Sequence, residues 1–511
     1  MNRKSFTATP FLAGLLLLAA SVPCAFAQEP VDSQKHAMSH EATLLPDPPA
    51  EGSFVPDPKY PQAYDAQAQI DVYGTKHMNP NPTGVPAVEW GVRMYDRGAF
   101  TPRPTWLFGP KDPVQSGFIT GGDLRIAGDS YDSGNGPGGK KQSTVAARLN
   151  LDMDLALTAT ERIHAFTRPL DKGGQFTRYD VSGAVKDKFT HRFDFDLDNL
   201  FFEGDLGQIT GGLQNHAARF DLPIAFGRMP FVTQNGVWIE DAFDGAAFSF
   251  TAKNIPSLDV SNTDLTFFAG WAQLTTAAAP NSSKNGVFGL AGFADARNGY
   301  IEYGYGYVKA DNDNLSYHNL TAAFSRRYIG RLANSVRVIG NFGQKGDPIL
   351  GKTADGVLLL VENSLTPKYL KLAEANQSNF VPYLNLFAGF NSPQSLARGA
   401  DSGGVLRNTG IAFESDGMTA YPTLDATARK SFGGSLGLEY LFDLAHQIVV
   451  EGSAVQRMSG NKAGSQYGIG VRYQQPISPD LIIRFDAMKG WLNGPGQKDI
   501  YGVRAELRLK F

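Results

Sequence analysis

Along the last thirteen residues, DIYGVRAELRLKF, apolar and polar side chains alternate one by one. Tyr501, Val503, Ala505, Leu507, Leu509 and Phe511 share one parity, and Gly502, Arg504, Glu506, Arg508 and Lys510 share the other. Successive side chains of a strand point to opposite faces, so this period of two predicts a strand with one apolar and one charged face. Its length suffices to cross a bilayer as a tilted strand, which needs about 9–11 residues.

The pattern recurs upstream from about Phe118. Val145, Ala147, Leu149, Leu151, Met153, Leu155 and Leu157 oppose Arg148, Asn150, Asp152 and Asp154. Leu436, Leu438, Tyr440 and Phe442 lead through a short turn to Ile448 and Val450. Tyr467, Ile469, Val471 and Tyr473 lead to Leu481, Ile483, Phe485 and Ala487 in the same way. Further tight turns are expected near 158–161, 204–207, 254–257, 295–298 and 329–334. Longer connections rich in Gly, Asn, Asp, Ser and Lys fall at 129–142, 169–188, 215–241, 275–285, 344–354 and 391–430. Short turns at one end and long loops at the other predict an all-β chain, a transmembrane antiparallel β-barrel of about 18 strands. Residues 365–379 fit least well, being too long for a short turn. After the N-terminal leader no run reaches the ~18 consecutive apolar residues of a membrane-spanning helix. A barrel needs none, because its strands satisfy one another's backbone groups.

Two segments precede the barrel. Arg3 and Lys4, an apolar run from Phe11 to Val22 and Ala25-Phe26-Ala27 read as a signal peptide, 1–27, cut before Gln28. Processing would remove Cys24, the single cysteine, and leave no disulfide or thiol chemistry. Residues 28–115 are rich in proline and poor in alternation. They are expected to form a non-barrel periplasmic or lumenal segment, with Val88–Tyr95 a short helix or strand and Gly98–Trp106 an extended element that docks in the lumen, at its periplasmic mouth or on a periplasmic partner. The barrel is then 116–511.

The C-terminal strand resembles the closing strand of bacterial outer-membrane β-barrels, which typically ends in an aromatic residue, very often Phe. The resemblance implies integral insertion in outer-membrane lipid after cleavage near Ala27. It also implies recognition of the strand ending in Phe511 by the barrel-assembly machinery.

With the apolar parity outward, the opposite parity lines the interior. Pore-lining candidates are Arg148, Asp152, Asp154, Asp194, Asp196, Arg337, Glu439, Arg472, Arg484, Asp486, Arg504, Glu506 and Arg508. A basic residue facing lipid at mid-depth costs about 2–4 kcal/mol, so these charges belong in a hydrated channel. Lumenal Arg and Asp also pair across strands and brace the wall. Arg472, Arg484, Arg504 and Arg508 are expected to form a basic ladder opposite an acidic wall of Asp152, Asp154, Asp194 and Asp196. Such a transverse field orients dipolar or charged solutes. Residues 215–241 are expected to fold inward as a constriction. They carry Arg219, Asp221, Arg228, Glu240 and Asp241 beside the apolar Phe220, Leu222, Ile224, Phe226, Phe231 and Trp238.

Gly211-Gly212-Leu213-Gln214, read as a strand end, and Phe243-Asp244-Gly245-Ala246-Ala247-Phe248, read as the next strand, are similar to motifs of the alginate-export type of porin. That resemblance implies an 18-stranded barrel passing an anionic polysaccharide or small solutes. The acidic lumenal positions depart from a strongly basic conduit, so only the fold is carried over.

None of the eight histidines lies in a Gly-x-Ser-x-Gly elbow or a His-Glu-x-x-His pair, so no enzyme is expected. His36 and His40 in a solvated tail are not taken as a metal site, and no cofactor is expected. A net charge of −3 offers no basic footprint for nucleic acid. The expected function is a porin passing small polar solutes. The alternatives are an alginate-like polysaccharide export conduit and an occluded barrel that sheathes or binds a periplasmic partner.

Overall fold

The computed structural model describes residues 86–90, 107–108, 116–134, 141–183, 186–279, 282–349, 351–366, 380–399, 403–414, 417–442, 445–458 and 464–511. The leader, most of the 28–115 segment and most of the doubtful 365–379 connection lie outside these residues.

The wall is a closed antiparallel barrel of 18 strands. It opens with Gly117–Asp132 and Gln142–Ala156 and ends with Ser465–Pro476, Leu481–Asn493 and Ile500–Lys510. Closure comes from the first and last strands, in register from Asp123↔Lys510 to Asp132↔Tyr501. The alternation sets the faces. In the last strand Tyr501, Val503 and Leu509 are 40–44% exposed on the outside, whereas Arg504 and Glu506 are 5% and 4% exposed within. Outward aromatics such as Trp271, Phe288, Phe390, Tyr467 and Trp491 continue this apolar exterior.

The third and fourth wall strands are each broken. Arg162–Thr167 pairs with one half of the second strand and Gln175–Ser182 with the other half. Lys188–Thr190 and Leu197–Asp205 together form the fourth strand. Where a tight turn was expected at 204–207, a helix, Leu206–Gln214, follows instead. The Asp205 carboxylate accepts from Gln208 N–H as its N-cap, and Asn215 ends it in a left-handed conformation, a position that favours Asn or Gly. The Gly211–Gln214 motif is therefore helical and not a strand end. The Phe243–Phe248 motif does lie in a strand, Ile239–Ile255.

Of the N-terminal segment, Val88–Trp90 forms a strand on the first wall strand, with Val88↔Thr120 and Trp90↔Phe118. It occupies the edge just past Phe511, whose carbonyl accepts from Gly122 N–H. The expectation for Val88–Tyr95 is thus met by a strand over its described part.

Candidate functional site

Two segments turn from the long-loop end into the barrel. The first is the tip of a hairpin between Pro223–Thr233 and Ile239–Ile255. Trp238 is fully buried there, and its indole N–H donates to Asn319 Oδ1 at 2.7 Å. Its six-membered ring packs against the wall strand Gly299–Lys309 because Gly304 has no side chain. A Cβ at Gly304 would stand 2.2 Å from the indole. Phe231, Phe243 and Phe268 fill the root of the hairpin, with Phe231 and Phe243 stacked at 5.3 Å.

The second segment is the connection after Ser392, whose described residues 393–399, 403–414 and 417–430 cross the lumen as a strap. Leu396, Leu406, Phe413 and Leu424 are almost completely buried in the same core as Trp238. Wall glycines again make the room: a Cβ at Gly306 would meet Leu396 at 2.4 Å. Polar ties fix the strap to successive strands. Asn319 and Asn341 donate to the Gln394 carbonyl, and Tyr317 donates to the Leu396 carbonyl at 2.9 Å. Ile411 and Ala412 N–H donate to the Glu451 carboxylate at 2.9 and 3.0 Å. Tyr421 donates to the Gly502 carbonyl at 3.2 Å, and burial pushes its phenol up from the ordinary value.

Glu240 joins the two segments. Arg398 and Arg407, both on the strap, pair with it at 3.0 and 3.1 Å. Burial pushes the Arg398 guanidinium down to about 10, and Glu240 opposes that shift. A buried cation needs a partner, and Glu240 supplies it.

Around this constriction the wall carries a ribbon of charge. Glu414 of the strap meets Arg472 at 2.6 Å and Arg484 at 3.3 Å. Asp486 meets the same two arginines at 2.8 and 2.9 Å and Arg504 at 3.9 Å. Glu506 pairs with Arg504 and, at 2.8 Å, with Arg125. Asp123 pairs with Arg508 and accepts from Asn150, which also accepts from Arg148. Arg508, Arg125 and Arg148 stand abreast on three neighbouring strands. Like charges in such positions repel, and the interleaved carboxylates offset that repulsion.

Arg472, Arg484, Asp486, Arg504, Glu506, Arg508 and Arg148 therefore come together, with Arg125, Asp123, Glu240 and Glu414 as members to which the sequence analysis gave no role in the ladder. The expected opposition of a basic and an acidic wall is not found. Barrel closure sets the second strand one strand away from the last, so Asp152 and Asp154 neighbour the arginines. Asp154 meets His164 at 2.9 Å, and His164 meets Glu203 at 3.0 Å. Asp194 and Asp196 lie in the irregular stretch between Lys188–Thr190 and Leu197–Asp205, where strand parity does not apply. Asp194 accepts from Asp196 N–H and pairs with Lys172. Arg337 faces inward, 2% exposed, and pairs with Glu362 at 2.8 Å. Glu439 lines a lumenal cavity of about 950 Å³ with Arg326, Arg407, Glu414 and Arg472.

The 215–241 region is not one loop. Its middle is a strand, Pro223–Thr233, whose residues 223–228 pair on both sides in the wall, and the hairpin beyond Arg228 enters the lumen. Of its expected charges, Glu240 sits in the constriction. The Asp241 carboxylate accepts from Thr275 N–H at 2.6 Å. Arg219 and Asp221 are exposed on the connection after the helix, at the short-turn end. Arg228 pairs with Asp244 at 2.8 Å on the face opposite buried Met229 and Phe243, hence outward. The strap was read as an external loop. Its apolar residues, together with glycines at inward positions of the wall, were the signal for in-folding.

Neither a protein-family model nor a curated protein matches the chain. Solved structures of Pseudomonas aeruginosa do resemble it. OccK5 (OpdH) is 12% identical with a TM-score of 0.48, over 77% of this chain and 98% of that one. OpdO is 10% identical at 0.48, over 77% and 97%. OpdK, solved with vanillate, is 12% identical at 0.48, over 77% and 98%.

Proposed function

We propose that the protein is an outer-membrane porin that passes small hydrophilic solutes through a lumen narrowed by the hairpin tip and the strap. The carrying observation is the charge ribbon from Glu414 to Arg148, enclosed by a wall whose outer face is apolar apart from the Arg228–Asp244 pair. A ribbon of this kind in a dry barrel would require desolvation of many ions, each at a penalty of several kcal/mol, whereas water in the lumen removes most of that penalty. The short-turn end faces the periplasm and the long-loop end the exterior, as in barrels of this architecture. The protein works as a channel and not as an enzyme.

The constriction favours small solutes over a polymer, because the strap and the hairpin tip meet through Glu240, Arg398 and Arg407. The alginate-export resemblance loses support, since one of its two motifs is helical. Interleaved signs make the ribbon a polar guide with a modest excess of arginine, suited to weak anion preference. The strand ending in Phe511 is the handle for the barrel-assembly machinery. The strand Val88–Trp90 sits at the short-turn end, and the proline-rich segment before it is proposed as the contact for a periplasmic partner.

Solute flux into proteoliposomes tests the reading. Sugars and amino acids should enter, and a polysaccharide of many residues should not. Entry of the polymer at a comparable rate would overturn it.

A further inference from the structure

The wall is unzipped at one place. The fourth and fifth strands pair only from Leu200↔Arg228 to Asp205↔Pro223. Beyond Arg228 the fifth strand leaves the wall. Residues 229–233 pair with 239–243 of the sixth strand alone, and Met229 is buried in the inner core. The fourth strand does not follow. Lys188–Thr190 stays on the third strand through Arg178↔Thr190 and Asp180↔Lys188. The chain between is held from that same side, by Thr177 Oγ1 at both the N–H and the carbonyl of Arg192 and by the Pro169 carbonyl at Asp194 N–H. Among the described residues, no strand pairs with 188–197 on the side the fifth strand has left. Arg228 reaches across, donating from Nη1 to the Leu197 carbonyl at 3.2 Å.

An unpaired strand edge facing hydrocarbon costs several kcal/mol for each unsatisfied backbone group. Water from the lumen relieves that cost only if the notch is open to it. A cavity of about 660 Å³ lies on the lumenal side, lined by Phe166, His164, Asn199, Phe201 and Pro230 among others. Asn199 and Pro230 belong to the two strands that part. On the outer flank Phe189, Phe193 and Phe195 are 61%, 49% and 65% exposed, and across the notch Val232 on the departing strand is 66% exposed. Two ion pairs stand at the foot of the notch, Arg228–Asp244 and Arg168–Asp198, at 2.8 and 2.9 Å. An apolar flank, two ion pairs and a cavity of mixed polar and apolar lining border the notch.

We propose that this notch is a lateral opening through which single-chain amphiphiles exchange between the lumen and the outer leaflet. The chemistry matches at each step: rings for an alkyl tail, the ion pairs and Asn199 for a charged head. The proposal rests on the membrane-channel reading and adds a second, sideways route to it.

Decanesulfonate, an amphiphile with a permanent charge, is a suitable probe. Processing would leave the mature chain without cysteine, so Asp196→Cys and Val232→Cys each give a single thiol on either side of the notch. In proteoliposomes both thiols should react with a water-soluble bulky maleimide. Labelling should then lower decanesulfonate entry severalfold while KCl conductance stays at the unlabelled value. Thiols that fail to react, decanesulfonate entry that is unchanged by labelling, or entry that falls in step with KCl conductance would each overturn the proposal. Loss of KCl conductance before any labelling would instead count against the channel reading itself.

Discussion

Replacing Trp238 by alanine tests whether the hairpin tip is an anchored constriction. Trp238 is fully buried, lies against Gly304 and satisfies Asn319 with its indole N–H at 2.7 Å. Truncating a buried Trp to Ala costs about 3–5 kcal/mol. The Asn319 carbonyl loses its donor, which adds about 1–3 kcal/mol unless water replaces it. The wall keeps its strand pairing, so the loss falls on the docked tip. Taking the packing term alone, the ratio of undocked to docked tip should rise between about a hundredfold and a few thousandfold. In planar bilayers the W238A channel should show added current steps above the wild-type level and more frequent transitions between them. Refolded protein would be checked by strand content and by its heat-modifiable gel mobility. A well-folded W238A channel with the wild-type conductance and the same gating noise would refute the anchored-tip argument.

Other perturbations follow from the same geometry. Glu451→Gln removes a fully buried carboxylate that accepts from Ile411 and Ala412 N–H and from Tyr383; hydrogen bonds to a charged group contribute about 1.5–3 kcal/mol each, so proteolysis within 393–430 should become faster while the barrel stays intact. Gly470→Leu intrudes on Ile411, which a Cβ alone would already approach to 3.1 Å; the strap should be displaced, with larger conductance and a lower thermal midpoint by scanning calorimetry. Asp486→Asn leaves Arg472, Arg484 and Arg504 with less compensation; the reversal potential in a KCl gradient should shift toward anions, and an unchanged or cation-directed shift would contradict the ribbon's role.

The barrel was legible in the sequence because each wall strand must present one apolar face to its surroundings. Tyr501 to Phe511 shows that demand residue by residue, and the inward positions of Arg472, Arg484, Arg504 and Glu506 follow from the same parity. Interior features follow no such rule. The strap has the glycine, proline and polar content of an external loop, yet Leu396, Leu406, Phe413 and Leu424 bury inside. Gly306 and Gly470 mark where it packs, but a glycine in a strand also marks a bulge or bend. Arg228 was misplaced because a strand in the middle of a polar stretch was read as loop. The expected acidic wall failed for a topological reason: strands distant in sequence become neighbours when the sheet closes, so Asp152 lines one cavity with Arg508 rather than facing it from an opposed wall.

The central claim is a hydrated, narrowed, charge-lined channel. Its most direct test is single-channel recording of the refolded mature protein in planar bilayers, with reversal potentials in a KCl gradient. Discrete open steps with weak anion preference are predicted, because the ribbon's arginines outnumber its carboxylates while each remains paired. A correctly folded barrel that conducts no current, or one with strong cation selectivity, would contradict the account.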